Sequence, residues 1–360
     1  MKCTIIKNKL NRHKYCKKLL NCVSHIFKIY TLLLLLPLSI FSQEKQNTLT
    51  SKTERYNYVQ EEDTLINFKF SFYNLDQEFN ISGNDFNFNI KPNFTLKTRF
   101  FFNYRFISVA IAVAPDFIPG NKDNDIKGKT KSFTFNLNFY MKHWAQEFQF
   151  NNTKGFYIGN IPNPDIPDWI EGEDPYIQLP EMILITYRGT TSYILNSNFS
   201  IKAVRAQTEI QKKSAGSFIP SLMYNYFIID NSGEKDWQSY QNSYNFEGLV
   251  SLWYMHTFVI HKNWYITGGI APAIGYNFSK LETYFRDSQY TTHYREPIFR
   301  LNEQINIGTN IKRFFAGIQL FASQTKEYLG DNTVKQNNYY TTFHVFAGYR
   351  FNVPKILKKH

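Results

Sequence analysis

The sequence predicts an all-β fold, an antiparallel transmembrane β-barrel of about 12–14 strands. Three observations carry that expectation. The chain opens on a basic and then apolar leader. Beyond the leader, aromatic residues recur at every second position. Long polar loops alternate with turns of two or three residues.

The leader explains the charge. Lys2, Lys7, Lys9, Arg12, Lys14, Lys17, Lys18 and Lys28 are followed by the run Ile29 to Ile40, and then by Phe41-Ser42-Gln43. A basic region, an apolar core too short for a spanning helix and a small residue before a polar one form a secretory signal peptide. Residues 1–42 are expected to be that signal, cleaved after Ser42. They hold 8 of the 41 basic residues and none of the 29 acids, so the formal net charge falls from +12 to +4 beyond them. The basic excess is an export signal, and no nucleic-acid partner is expected. Cys3, Cys16 and Cys22 all lie in the leader. The exported chain therefore has no disulfide, no thiol nucleophile and no cysteine-ligated metal.

The remainder contains no second apolar run long enough for a helix to span, and it is rich in aromatics, with 25 Tyr and 34 Phe in the whole sequence. Such a composition favours strands and membrane interfaces. Residues 43–63 are polar, charged and aperiodic, and read as a flexible periplasmic arm. The barrel is expected over 64–352, and a C-terminal tail over 353–360.

Within the barrel, Ile66, Phe68, Phe70 and Phe72 share one face, and Phe86, Phe88 and Ile90 continue to a turn at Lys91-Pro92-Asn93. Phe94 to Phe102 and Ile107 to Val113 follow, joined near Tyr104-Arg105. The loop from Pro115 to Thr130 is polar. Phe133, Phe135, Leu137, Phe139 and Met141 give the cleanest alternation in the chain, against Thr134, Asn136 and Asn138. Lys142-His143 turns the chain back through Phe148 and Phe150 to Tyr157. Gly159 to Pro180 holds five prolines and five acids, a density that excludes it from a ladder.

Met182 to Leu195 is read as a strand, turned by Asn196-Ser197-Asn198, with Phe199 to Glu209 returning. Ile219 to Ile229 is the next strand. Phe246 to Ile260 pairs with Trp264 to Phe278 across His261-Lys262-Asn263, and Ile298 to Ile311 with Phe314 to Ser323 across Lys312-Arg313. Gly268 to Gly275 reads as small residues in a curved strand. Tyr339 to Phe351 closes the barrel against the first strand, with Phe343, Val345, Ala347, Tyr349 and Phe351 towards lipid. This count has a parity problem: the loop from Asp230 to Asn245 falls on the periplasmic side despite its length.

Several of these stretches resemble a family of Bacteroidota outer-membrane barrels known only as a domain of unknown function. They are Pro92-Asn93, Gly128-Lys129-Thr130-Lys131, Lys154-Gly155-Phe156-Tyr157, Val259 to Asn263 and above all QKKSAGSF (Gln211 to Phe218) with the following Ile-Pro. The resemblance runs over about residues 60–352 and implies a barrel, with no catalytic residues to carry over.

Two sets of residues are candidates for chemistry. Lys97, Arg99, Lys202, Arg300, Gln304, His344 and Arg350 lie on polar faces and are expected to line the lumen, as an anion-preferring channel or as a salt-bridged filling. Lys212, Lys213, Ser214, Gly216 and Ser217 could cradle a phosphate such as that of lipid A, or form a basic turn that packs closely at Gly216. Glu303 interrupts a lipid-facing row, and a β-bulge is expected to turn it inward. No histidine spacing matches a metal site, and Ser251 and His256 fall on opposite faces of one strand.

The function expected is therefore non-enzymatic: a narrow channel or a structural or surface protein of the Gram-negative outer membrane. A lipid-modifying or hydrolytic barrel and a soluble periplasmic ligand-binding β-protein stand as alternatives. Expected partners are outer-membrane lipid, lipopolysaccharide and the barrel-assembly machinery. No cofactor is expected.

Overall fold

The computed structural model describes residues 55–354, apart from 63, 75–77, 83–86, 234–238, 286 and 328–336. The expected signal peptide and its cysteines, and the end of the tail, lie outside the described residues.

The elements in chain order are β1 (Val59–Glu61), β2 (Leu65–Asn74), β3 (Phe79–Ser82), β4 (Asn87–Lys91), β5 (Leu96–Tyr104), β6 (Ile107–Val113), α1 (Asn124–Lys127), β7 (Lys131–Tyr140), β8 (Trp144–Ile158), β9 (Ile177–Tyr193), α2 (Ile201–Arg205), β10 (Glu209–Gln211), β11 (Ala215–Asp230), β12 (Ser239–His261), β13 (Trp264–Phe285), β14 (Gln289–Ile311), β15 (Phe314–Glu327) and β16 (Asn337–Asn352). Twelve of the strands form one ring. The order is β8-β7-β6-β5-β2-β16-β15-β14-β13-β12-β11-β9, and β9 pairs back onto β8. The expected count of 12–14 resolves to twelve. The seam forms as the alternation requires: Phe351 pairs with Ile66 and Val345 with Phe72. The hairpin β3–β4 is not a wall strand; it pairs with the ring at Ile90–Ile158 and Lys91–Tyr157 and packs Ile90 against Phe156, Ile158 and Leu179.

The ring turns its apolar rows outward. Phe68, Phe100, Phe133, Val250, Ile274, Ile305, Phe343 and Phe351 are all exposed, while Asn67, Asn103, Thr134, Ser251, Asn302 and Arg350 on the same strands are buried inside. A soluble protein would not leave so continuous an apolar belt in water, whereas a membrane-spanning barrel requires one. The start of β2 and the end of β16 share one end with the short turns at 105–106, 141–143, 262–263 and 312–313, and the described loops 114–130 and 159–176 lie at the other.

Three expectations change. Phe199 to Glu209 is not a strand: it is α2 and the beginning of β10. Because β9 then pairs directly with β11, residues 194–214 form one connection at the short-turn end, and β11 reaches Asp230 at the long-loop end, opposite Ile183 and Asn242, which removes the parity conflict. Secondly, β9 begins at Ile177, so Pro180 lies inside it. The proline sits where the pairing with β8 shifts register between Lys154 and Phe156, a position at which the missing N–H breaks no regular rung. Thirdly, no bulge turns Glu303 inward. It pairs in register with Ile270 and Ala322, its neighbours Asn302 and Gln304 are buried, and its side chain stands on the outer face.

Candidate functional site in the barrel lumen

The connection 194–214 folds into the barrel at the short-turn end, where its buried residues pack against inward side chains of the wall. Ser200 is the N-cap of α2, its hydroxyl accepting from the Ala203 amide at 3.0 Å, which satisfies one of the helix's free donors. Gln207, in the left-handed region at φ 58°, ends the turn. The Gln211 side chain then closes the segment, accepting from the Ser200 amide at 2.9 Å and donating to the Asn198 carbonyl at 2.7 Å.

The wall supplies what the helix end lacks. The last carbonyls of a helix have no partner within it. Here Lys69 donates to the Arg205 carbonyl at 2.9 Å, Asn67 to those of Ala206 and Gln207 at 2.9 and 3.1 Å, and Arg350 to that of Gln207 at 3.1 Å. Positive groups at a helix C-terminus also complement its dipole. From the far wall, the Gln207 amide donates to Tyr265 at 3.1 Å. Arg205 reaches Glu147 at 3.8 Å, and Glu147 also accepts from Tyr140 at 2.6 Å. Phe199, Ile201, Val204 and Ala206 pack with inward residues of several strands, Ile219, Trp253, Met255 and Tyr140 among them. Strands from all round the ring thus hold the plug.

The N-terminal arm locks it. Residues 55–62, within the segment read as flexible, are ordered: β1 pairs with β10, Val59 opposite Gln211 and Glu61 opposite Glu209. Arg55 and Lys202 meet the Glu209 carboxylate at 2.7 and 3.1 Å, and the Ser200 hydroxyl donates to it at 2.5 Å. Burial pushes the Glu209 carboxyl up, but Lys202, Arg55 and Ser200 outweigh that and hold its pKa below the ordinary carboxylate value. A carboxylate whose folded pKa is depressed adds stability that is present above its unfolded value, about 4.3, and is lost as pH falls through the folded value. Protection of residues 196–213, taken relative to the intrinsic exchange rate at each pH, is accordingly expected to hold above the unfolded carboxylate value and to fall as pH drops below it. Mass spectrometry of exchanged peptides measures this, and a plug equally protected at pH 3 refutes it.

Beyond the plug the lumen is cationic. Lys97 is wholly buried and donates to Thr134 and Asn151, both at 3.2 Å. The Arg99 guanidinium lies 4.1 Å from the Tyr73 ring centre, and His344 stacks on the other side of the pairing, 4.9 Å from Tyr73. Arg300 bonds Thr325 at 2.9 Å and Glu247 at 3.2 Å. Gln304 is buried and faces in. Arg350, almost fully buried, also donates to Asn310 at 2.7 Å and covers the Phe315 ring. The six strand-borne candidates therefore share the interior. Lys202 shares it too, but from α2 rather than from a wall strand. Asn67, Lys69, Glu147, Gln207 and Tyr265 are the members that sequence reasoning missed. Of these, Asn67 and Lys69 were legible as the polar half of the first alternation.

The QKKSAGSF stretch is placed where the plug leaves for the wall. The backbone amides of Lys212 and Lys213 both donate to the Tyr58 carbonyl, at 2.7 and 3.4 Å. The Ser214 hydroxyl accepts from the Val259 amide at 3.0 Å, and the Ser217 hydroxyl accepts from Asn196 at 2.9 Å and donates to the Phe218 carbonyl at 2.8 Å. Those groups are engaged within the protein instead of converging on one anion. Gly216 faces outward, where a Cβ would collide with His256, Tyr254 and the Met255 carbonyl, so close packing is what this glycine serves. The Lys212 and Lys213 side chains remain exposed.

Ring, apolar belt and internal segment together define a plugged barrel of the outer-membrane type. The chain belongs to the family described as "Domain of unknown function (DUF4421)", whose model matches residues 51–351. No curated protein is significantly similar to it. Among solved structures it is similar to the outer membrane protease OmpT from Escherichia coli, with 9% identity, 80% of this chain and 97% of that chain covered and a TM-score of 0.35. It is also similar to the ferric yersiniabactin uptake receptor FyuA from Yersinia pestis (11%; 80% and 45%; 0.30) and to outer-membrane expressed OmpT of Vibrio cholerae (8%; 81% and 97%; 0.29). None of these likenesses is close enough to transfer an activity.

Proposed function

We propose that this chain is an outer-membrane barrel that is closed at rest and acts as a non-enzymatic structural or surface protein rather than a constitutive channel. The observation that carries the reading is the capping of three successive carbonyls, those of Arg205, Ala206 and Gln207, by side chains of the adjacent wall strands β2 and β16. A segment that lay in the lumen by chance would not find charged donors placed at its helix end. The two charge-assisted bonds, from Lys69 and Arg350, contribute about 1.5–3 kcal/mol each and the neutral ones from Asn67 about 0.5–1.5 kcal/mol each, so the open state is scarcely populated. The exposed aromatic belt supports placement in a bilayer.

The folded chain is expected to need detergent for extraction and to migrate faster on gels unheated than boiled. In planar bilayers at neutral pH it is expected to give no steady conductance. Ohmic steps at low voltage from well-folded protein would overturn the closed state, and a chain that stays soluble without detergent would overturn the membrane placement.

A further inference from the structure

We infer that the outer wall carries a binding groove for the phosphate of an outer-leaflet glycolipid, at the long-loop edge of β11–β14. This rests on the membrane placement proposed above. On these strands the exposed belt of Val250, Leu252, Ile274 and Phe299 ends in a row of rings. Tyr226 pairs with Phe246, and Phe246 with Phe278. Immediately beyond that row the outer face turns basic. Phe278 pairs with Arg295, and Lys280 pairs with His293 on one side and Tyr244 on the other. These side chains line an open groove of about 420 Å³.

Its chemistry is two-sided. The rings offer an apolar floor continuous with the belt, on which an acyl chain or a sugar face can lie. Above them, the Arg295 guanidinium is held over Tyr276 and Phe278, 4.9 and 5.5 Å from the ring centres, and the Lys280 ammonium lies 5.7 Å from the Tyr244 ring. Glu282 lies 2.5 Å from Lys280 and accepts from Tyr284 at 2.8 Å, which fixes Lys280 at the rim and leaves the groove with more positive than negative charge. Cations resting on rings at the upper edge of an apolar belt match a ligand with a phosphate at the water boundary and hydrocarbon below it. Free phosphate would use the cations and leave the rings bare. A lipid-borne phosphate uses both.

The full chain is purified in non-ionic detergent and titrated by native mass spectrometry with bisphosphorylated lipid A, with the same lipid stripped of phosphate, and with inorganic phosphate. The intact lipid is expected to bind at least 10-fold more tightly than the stripped one, and millimolar phosphate is expected not to displace it. The double variant Lys280→Ala/Arg295→Ala is expected to lose at least 10-fold in affinity. Lys262→Ala/Lys312→Ala, at the opposite rim, is expected to lose none. Unheated gel migration checks that both variants are folded. Unchanged affinity in the folded K280A/R295A protein overturns the groove, as does inorganic phosphate binding as tightly as the lipid. A wild-type chain soluble without detergent sinks the membrane placement and the groove with it. A detergent-requiring chain indifferent to K280A/R295A sinks the groove alone.

Discussion

Replacing residues 199–210 with a short Gly-Ser linker is expected to convert a silent barrel into a conducting one. The plug is held by the wall, but the wall does not depend on the plug for its ladder: β9 pairs with both β8 and β11 without help from 194–214. The cost falls on the lining. Ile219, Trp253 and Met255 lose their cover, at about 1.5–3 kcal/mol per side chain. Lys69, Asn67 and Arg350 exchange protein partners for water in a pore that can now hydrate them. Twelve closed strands can absorb a loss of that size, so the variant still folds and can be tested. The pore is expected to prefer anions, because the inward cations Lys69, Lys97, Arg99, Arg300 and Arg350 outnumber the inward acids Glu147, Glu247 and Glu296. Single-channel recording under a salt gradient measures both points. A folded variant that stays silent shows that a further constriction closes the lumen, and a reversal potential towards the cation potential refutes the charge argument.

The sequence made the wall legible and the plug illegible, for one physical reason. A period of two is enforced wherever one side of a strand meets lipid and the other a polar lumen. Rows such as Phe133 to Met141 therefore announce both the strand and its direction, and with them the inward set Lys97, Arg99, Arg300 and His344. The plug meets no lipid. Phe199, Ile201 and Ala203 alternate for three steps and imitate a strand, while the residues that join the core are Phe199 together with Ile201 and Val204 at helical spacing and Ala206. The discriminating signal was Ser200 as a cap followed by a helix-favouring IKAVR run, five residues too short for a period to emerge. Glu303 errs in the opposite direction. The rule that charge avoids lipid outweighed an alternation that was in fact unbroken from Asn302 to Asn306. The partners of the inward charges were not legible, because Arg300 meets Glu247 across two strand pairings whose register the alternation alone leaves open.

The second large effect separates two glycines seven residues apart. Gly275→Val is expected to lower the yield of folded barrel sharply, and Gly268→Val to be nearly silent. Both lie on β13 in the segment read as small residues in a curved strand. Around Gly268 a Cβ meets nothing within 4 Å, so a valine there adds one apolar group to the outer belt and raises strand propensity. At Gly275 a Cβ would overlap the carbonyl oxygen of Gly248 and crowd the Leu249 Cα. Those are backbone atoms of the paired strand, and no rotamer change moves them away. Relief requires β12 and β13 to separate where Leu249 pairs with Gly275, beside the buried cluster of Leu249, Ala273 and Ile298. Overpacking in a compliant core costs about 1–3 kcal/mol. Here the obstacle is the ladder itself, so the penalty is expected at the top of that range or beyond. The measurement is the fraction of each variant that acquires fast unheated gel migration after refolding into detergent. A Gly275→Val protein that folds as fully as Gly268→Val would show that β12 and β13 can part at this rung without loss of the barrel.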